Sequence, residues 1–249
     1  MNRKMCDVHI HIVPGVDDGA IDMQMALSMM ISAYRQGIFE VIATPHSHAF
    51  DYSELETKWQ FQQLCDQMAQ LLPEMTIACG CEIYCEETMM DKIITALRSG
   101  KYPTMNGTDY ILVEFSQWIR PEKVIPCIKQ LVDAGWKPVI AHMERYDYLC
   151  RNVELVNALR EMGCLIQVNA SSFAENQNGS IRDWARYLTE EKKIDFLGSD
   201  AHRTYYRPPE VTEGLNWLYE NLDQEYADEI SWKNAHKLLI RRNNELILH

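Results

Sequence analysis

Short apolar runs alternate along this chain with longer amphipathic stretches. The apolar runs predict strands at Cys6–Ile10, Glu40–Thr44, Thr76–Cys81, Tyr110–Glu114, Pro138–Ala141, Leu165–Asn169 and Phe196–Gly198. The amphipathic stretches predict helices at Asp22–Gln36, Ser53–Leu72, Glu87–Arg98, Glu122–Ala134, Glu154–Met162 and Ser180–Glu191. The residues after Pro208 predict two closing helices, the last with Asn234 as a candidate cap. Strands that alternate with helices in this way predict parallel βα units.

Glycine follows four of the predicted helices, at Gly37, Gly100, Gly135 and Gly163. Glycine ends helices readily because it adopts the left-handed conformation that other residues resist. No linker rich in proline, glycine or serine separates the seven βα repeats. The pattern therefore predicts a single α/β domain over residues 1–249, folded as a closed or nearly closed barrel.

Six of the eight histidines lie in four short clusters that are far apart in the sequence. The clusters are Asp7–His11, Thr44–His48, Ala141–Arg145 and Gly198–His202. Imidazole and carboxylate groups are preferred ligands of divalent metals such as Zn, Mn and Fe. Only a folded chain can bring such scattered groups together, so the clusters predict a metal site with more than one ion.

The candidate ligands follow the predicted strands. They are His9 and His11 after the first strand, His46 after the second, Glu82 after the third, Glu114 after the fourth, His142 after the fifth, and Asp200 with His202 after the seventh. In α/β barrels the C-terminal strand ends converge on the active site. Residues two apart on a strand share a face, so His9 and His11 can reach one ion together.

Each of these residues also has an ordinary interpretation. His9 and His11 could be polar positions on an exposed strand, and Asp18 could belong to a turn. Asp7 is a candidate to orient a ligand histidine, and His48 to support the site or face substrate. The two remaining histidines, His236 and His249, are expected to be ordinary surface or helix residues.

Composition narrows the functional classes. The net charge of −12 argues against nucleic acid as a partner and weakens a nuclease hypothesis. No run approaches the roughly 18 apolar residues of a membrane span, and the basic start Met1–Asp7 lacks the apolar stretch of a signal peptide. We therefore expect a cytoplasmic protein without membrane insertion.

The eight cysteines do not predict a disulfide scaffold. Without a secretory signal they are expected to be reduced thiols packed as small hydrophobic groups. The run from Cys79 to Cys85 could hold zinc, but no second cysteine pair with suitable spacing completes a structural site.

Several other chemistries lack their motifs. The chain has no G-x-S-x-G elbow, no Walker A loop, no G-x-G-x-x-G fingerprint and no cysteine with arginine six positions later. A nucleophile would then come from metal-bound water. Arg145 and Arg207 lie beside the histidine clusters and could clamp phosphate, although both could also be solvent-facing loop charges.

The motifs resemble a known family in order and spacing. Those at Asp7–His11, Pro14–Gly19 and Ala43–His46 resemble the opening of the PHP (polymerase and histidinol phosphatase) superfamily. Those at Gly80–Tyr84, His142–Tyr146, Gly198–His202 and Arg207–Pro209 resemble bacterial metal-dependent tyrosine-protein phosphatases of capsule and exopolysaccharide gene clusters. The resemblance runs from Asp7 to about Asn244, and Met143 departs from it by replacing a proline.

The resemblance implies a distorted (β/α)7 barrel with three divalent ions, most often Mn, with Fe, Zn and Mg as alternatives. It places one ion at His9, His11, Glu82 and Asp200, a second at Glu82, Glu114 and His142, and a third at Asp18, His46 and His202. It implies catalytic roles for Arg145, Arg207, Asp200 and His202, with both arginines binding phosphate.

The implied substrate is phosphotyrosine on the tail of a membrane-associated partner kinase that controls polysaccharide export. We expect direct hydrolysis by a metal-bridging hydroxide, without a cysteine phosphoenzyme. Two alternatives stay open at this point. One is a related phosphatase of a small phosphomonoester such as histidinol phosphate, and the other is a metal-binding regulatory protein without turnover. The oligomeric state is not predicted.

Overall fold

The computed structural model describes residues 4–243. The strands are β1 (Met5–Ile10), β2 (Ile38–Ala43), β3 (Thr76–Cys79), β4 (Glu82–Tyr84), β5 (Tyr110–Glu114), β6 (Lys137–Ile140), β7 (Leu165–Asn169) and β8 (Phe196–Gly198). The helices are α1 (Met23–Arg35), α2 (Ser47–Leu71), α3 (Met90–Arg98), α4 (Pro121–Asp133), α5 (Val153–Glu161), α6 (Gly179–Glu190), α7 (Thr212–Asn221), α8 (Gln224–Asp228) and α9 (Asn234–Asn243).

All strand pairs are parallel, as the alternation of strands and helices predicts. One sheet has the order β1-β2-β3 and the other the order β4-β5-β6-β7-β8. Isolated parallel bridges join the two sheets at both borders, between Ile10 and Ala201 and between His46 and Glu82. The fold is therefore α/β with parallel sheets, and its ring-like strand order is compatible with a distorted barrel.

The predicted third strand, Thr76–Cys81, is wrong as a single element. Cys79 still pairs with Ala43 of β2, whereas Glu82 begins β4 and pairs with Leu112 of β5. The chain changes partner at Gly80, where an added Cβ would lie 3.0 Å from Ile42 and 3.2 Å from Thr44. This close approach favours glycine, and the break brings Glu82 to the mouth of the ring.

The predicted helix ends agree with the structure, but two helical regions differ from the prediction. The four glycines expected to end helices all have positive φ, at Gly37, Gly100, Gly135 and Gly163. Helix α2 begins at Ser47 rather than Ser53, and Ser53 forms a kink inside it. Between Pro208 and residue 243 there are three helices instead of the predicted two. A π-helical turn, Glu229–Lys233, lies between α8 and α9 and divides the last predicted helix. Asn234 is the first residue of α9 and donates to the Asp195 carbonyl, so it is not the N-cap of that helix.

A compact apolar cluster lies inside the ring of strands. Its members come from β1, β2, β3, β5, β6 and β8, and Ala235, Leu238 and Leu239 of α9 pack against it. On β1, Cys6 and Val8 belong to this cluster, and a register irregularity follows between Asp7 and Ile10. The irregularity changes the alternation of the strand, which allows His9 and His11 to face the ring's C-terminal mouth.

No helix within residues 4–243 is both long enough and apolar enough to cross a bilayer.

Candidate active site

The nine expected metal ligands lie together at the C-terminal ends of the strands. Their ligand atoms form four overlapping groups, and within each group the atoms lie within 4.8 Å of one another. The groups are His11, Asp18, His46 and His202; His9, His11 and Glu82; His9, His142 and Asp200; and His46, Glu82 and Glu114. Residues that are almost two hundred positions apart therefore converge on one small volume.

Glu82 lies at the centre of this volume and is 1% exposed. Its Oε1 is 3.0 Å from His9 Nε2 and 3.1 Å from His142 Nε2. Its Oε2 is 3.2 Å from His11 Nε2 and 3.1 Å from His46 Nδ1. Burial alone would raise the pKa of Glu82, whereas a proton on each of these imidazoles would hold it well below its usual range. Each oxygen faces two imidazole nitrogens, which is the arrangement of a carboxylate that can bridge two cations.

The histidines of β1 are buried and held in one orientation. His9 Nδ1 lies 3.0 Å from Gln167 Oε1, which also accepts the His142 backbone N–H at 2.8 Å. Because Gln167 Oε1 is an acceptor, His9 Nδ1 carries the proton. His11 Nδ1 likewise donates to Asp17 at 2.9 Å. Both Nε2 atoms are then unprotonated lone-pair atoms in the neutral imidazoles.

The arrangement of the two Nε2 atoms shows whether cations fit this site. His9 Nε2 and His11 Nε2 lie only 3.2 Å apart, and each also faces a Glu82 oxygen. Lone pairs that converge in this way repel one another unless a positive charge lies between them. The donor set of imidazole and carboxylate groups is suited to divalent metals, so the residues present fit metal ions.

His202 and His142 are the other two buried histidines of the site. His202 Nδ1 donates to the Asp200 carbonyl at 3.0 Å, which leaves Nε2 to face Asp18 at 3.5 Å. His142 Nε2 lies 3.1 Å from Glu82 and 3.9 Å from Glu114, while its buried Nδ1 has no hydrogen-bond partner. Thus three of the four buried imidazoles have an acceptor that directs Nε2 inward.

The outer edge of the site is partly open to solvent. His46 Nε2 is 3.4 Å from Asp18, and His46 Nδ1 is 3.0 Å from Glu114. The side chain of Asp18 is exposed. Asp18, His46 and Glu114 therefore lie where substrate would enter.

Two arginines meet at one carboxylate oxygen. Arg145 Nη1 donates to Asp200 Oδ2 at 2.7 Å, and Arg207 Nη2 donates to the same oxygen. Arg207 Nη1 also lies 3.2 Å from His202 Nε2. Burial and the like charge of Arg145 lower the pKa of Arg207 to about 10, so it stays protonated at neutral pH. Each guanidinium keeps further N–H donors for a phosphate group.

The backbone at three site residues lies in the left-handed region. His142, Asp200 and Arg207 have φ values of 32°, 52° and 52°. Such conformations cost about 1–3 kcal/mol in residues other than glycine and persist where the surrounding structure enforces them. The strain lies at the turns that direct these three side chains into the mouth of the ring.

Sequence reasoning missed the residues that support the ligands. Gln167 and Asn169 of β7 are buried, and Gln167 Nε2 donates to Asn169 Oδ1 at 2.9 Å. Asn169 Nδ2 in turn donates to Asp200 at 3.0 Å. The buried Glu144 accepts from the Asn169 backbone N–H and from Ser172. The only sequence signal for this network was a pair of amides two residues apart in an apolar strand.

The structure also revises the candidates with supporting roles. Asp7 accepts the backbone N–H groups of His9 and Ser199, so it holds the backbone of a candidate ligand histidine rather than its ring. Asp17, beside the predicted Asp18, has that role for His11. His48 is exposed and stacks on His46, with ring centroids 5.3 Å apart. His236 lies on α9, as expected, and His249 lies outside the described residues.

A cavity of about 210 Å³ opens over these groups. It is lined by Asp18, His46, Glu82, Glu114, Phe115, Gln117, His142, Arg145, Tyr146, Asp200, His202 and Arg207. Both arginines also line a neighbouring cavity of about 190 Å³. No cysteine of residues 4–243 lines the first cavity or belongs to a ligand group.

A family model for capsular polysaccharide synthesis, CpsB/CapC, matches residues 5–240. The chain belongs to this family. A CpsB/CapC relative, the tyrosine-protein phosphatase YwqE of Bacillus subtilis, is 30% identical over 244 residues, which cover 98% of this chain and 91% of the relative. Tyrosine-protein phosphatase CpsB of Streptococcus agalactiae is 29% identical over 242 residues, or 94% of this chain and 98% of the relative.

Solved structures agree with the family assignment. A chain from the crystal structures of YwqE from Bacillus subtilis and CpsB from Streptococcus pneumoniae, unique metal-dependent tyrosine phosphatases, matches with a TM-score of 0.82 and 29% identity. The match covers 95% of this chain and 94% of that chain. A D-hydantoinase matches with a TM-score of 0.57 at 12% identity, a likeness of fold alone.

Proposed function

We propose that this chain is a metal-dependent tyrosine-protein phosphatase, a phosphoric monoester hydrolase that acts on phosphotyrosine. The observation that carries the proposal is the convergence of imidazole and carboxylate ligand atoms beside two arginines. The names of the CpsB/CapC relatives favour phosphotyrosine over histidinol phosphate as the substrate.

The proposed cofactors are three divalent ions, with Mn as the first choice and Fe, Zn or Mg as alternatives. The proposed ligands are His9, His11, Asp18, His46, Glu82, Glu114, His142, Asp200 and His202. Bound divalent ions would lower the pKa of water toward neutrality and neutralise phosphate charge. Four carboxylates in the set suit several dications better than one.

The two proposed phosphate-binding residues are Arg145 and Arg207. Both guanidiniums already lie at one oxygen of Asp200, so their remaining donors are directed within a small volume beside the ligand groups. Paired N–H donors match phosphate oxygens and stabilise the charge that develops during in-line displacement. A net charge of −12 would otherwise repel an anionic substrate, so locally concentrated positive charge is required.

Asp200 and His202 are proposed to act with the arginines. Asp200 offers Oδ1 to the imidazoles, with His9 Nε2 at 3.5 Å, while Oδ2 receives both guanidiniums. His202 Nε2 accepts from Arg207 Nη1 and faces Asp18. These two residues therefore connect the ligand groups with the phosphate-binding groups.

The leaving group also favours phosphotyrosine as the substrate. The phenolate of tyrosine, with a pKa of about 10, is a far better leaving group than a serine alkoxide.

We further propose that the substrate is the tail of a membrane-associated tyrosine kinase that controls polysaccharide export. The proposed location is the cytoplasm, and residues 1–249 are proposed to act as one domain. The membership of the chain in a capsular polysaccharide synthesis family supports this proposal.

Parallel kinetics with added Mn test the proposed activity. The substrates are a phosphotyrosine peptide, its phosphoserine counterpart and histidinol phosphate. We expect kcat/KM for the phosphotyrosine peptide to exceed the other two by at least about a hundredfold, corresponding to a difference near 3 kcal/mol. A preference for histidinol phosphate would contradict the proposal.

A further inference from the structure

Two large aromatic side chains lie exposed on segments whose neighbouring residues line the cavity. Trp118 follows β5 and is 63% exposed, and Tyr148 follows β6 and is 58% exposed. Their rings contact each other, with centroids 6.4 Å apart and planes at 66°. Leaving two large aromatic groups in water forgoes the favourable burial of apolar surface, so an exposed pair often marks an interaction site.

The segments that carry this pair are also the walls of the cavity. Gln117, next to Trp118, lines the cavity, as do Arg145 and Tyr146 on the other segment. The Asp147 backbone N–H donates to the Gln117 carbonyl at 3.2 Å, which joins the two segments. The aromatic pair is therefore continuous with the surface that would bind phosphate.

Hydrogen bonds and a ring contact close to the pair order the two segments that carry it. The Phe115 backbone N–H donates to the Tyr146 hydroxyl at 3.1 Å, and the two buried rings pack edge to face with centroids 6.2 Å apart. Trp118 lies in a tight turn closed by an Ile119 N–H to Ser116 carbonyl hydrogen bond. A preorganised aromatic surface binds with less loss of conformational entropy than a mobile one.

We infer that Trp118 and Tyr148 form a docking surface for an apolar side chain next to the phosphotyrosine of a protein substrate. This inference rests on the proposed function and deepens it. The partner is a peptide that combines a phosphate anion with flanking apolar residues, because arginines and an exposed aromatic pair lie side by side. Aromatic groups of this kind dominate the affinity of many interfaces.

The test uses the full chain loaded with Mn and three substrates. One is a phosphotyrosine peptide with leucine and phenylalanine on either side, the second replaces these with glycine and serine, and the third is p-nitrophenyl phosphate. The variants are Trp118→Ala and Tyr148→Ala. The matched control is Trp59→Ala, an exposed tryptophan on α2.

For the apolar peptide we expect each variant to lower kcat/KM about tenfold, mainly through KM. The other two substrates should change by less than about twofold, as should the control variant on all three. Equal losses of kcat/KM on all three substrates, or no loss on the apolar peptide, would overturn the docking surface and leave the proposed function intact. If the unaltered protein cleaves p-nitrophenyl phosphate but no phosphotyrosine peptide, the proposed function itself is wrong, and the docking surface with it.

Light scattering tests the competing occupant, a second copy of the chain. The docking surface predicts that the molar mass in solution is the same for the unaltered protein and Trp118→Ala. A dimer that Trp118→Ala dissociates would overturn the inference, because the pair would then be covered by the second copy.

Discussion

Within residues 4–243, histidine side chains contact carboxylates at two places, toward opposite ends of the strands. At the mouth of the ring, four buried or partly buried imidazoles surround Glu82. On the N-terminal half of β2, Glu40 accepts from His236 Nδ1 at 2.6 Å and from Trp232 Nε1 at 3.0 Å. The two clusters use the same residue types, but their hydrogen bonding differs.

In the second cluster each oxygen of Glu40 has its own donor, so every polar contact is satisfied. At the mouth, neutral imidazoles of His9 and His11 direct their Nε2 lone pairs at the lone pairs of Glu82, because their Nδ1 protons are already donated elsewhere. Residue type alone therefore does not mark a metal site. What marks it is the convergence of acceptors without donors, which a cation resolves.

The largest expected effect comes from removing an imidazole at the mouth. His142→Ala deletes a nitrogen 3.1 Å from Glu82 and should lower metal occupancy. Turnover of a phosphotyrosine peptide should fall by more than about a hundredfold, since loss of even a supporting residue costs up to that much. Elemental analysis and kinetics measure the two effects, and the control is His236→Ala. Full metal occupancy in His142→Ala would argue against its role as a ligand.

The next largest effect, from Arg145→Ala, should distinguish phosphate binding from metal binding. Arg145→Ala should lower turnover of the phosphotyrosine peptide about a hundredfold while metal content stays near normal, because the guanidinium stabilises developing charge. The control is Arg98→Ala, an arginine in the last turn of α3. Unchanged kinetics, or loss of metal from Arg145→Ala, would count against phosphate binding by Arg145.

A smaller effect should follow from changing a supporting amide. Gln167→Leu removes the acceptor of His9 Nδ1 and of the His142 backbone N–H. Metal affinity should fall about tenfold to a hundredfold, as measured by competition with a chelator. Gln130→Leu on the exposed face of α4 is the control. Equal affinities in the two variants would show that Gln167 does not orient the imidazole.

The smallest effect is expected from a substitution at the second cluster, which contains Glu40, Trp232 and His236. His236→Ala removes a partly exposed hydrogen bond to Glu40 and the stacking of His236 on Trp232. The free energy of unfolding should fall by about 1 kcal/mol, with metal content and turnover unchanged. Denaturant titration measures this loss. A change in metal content would remove the distinction between the two clusters.

The elements and the ligand positions were largely predictable because they depend on local signals. Tyr110–Glu114 and Leu165–Asn169 have the predicted bounds, and Glu82 could be placed because a carboxylate that ends an apolar run needs a partner. The break at Gly80 was not predictable, since it depends on a change of strand partner between β2 and β5.

The supporting residues were hidden for different physical reasons. A buried amide such as Gln167 is also typical of an ordinary core, so its type carries no signal. Asp17 and Asp18 are neighbours, and only the folded chain shows that Asp17 is buried against His11 while Asp18 faces the cavity. The π-helical turn before α9 had no counterpart in the pattern of apolar and polar positions.

Anomalous diffraction from Mn-loaded crystals tests the central claim most directly. We expect three anomalous peaks at the mouth of the ring, each in contact with imidazole and carboxylate groups of the nine proposed ligands. We expect none between Glu40 and His236. A peak at that second cluster, or fewer than three peaks in a fully active protein, would contradict the account.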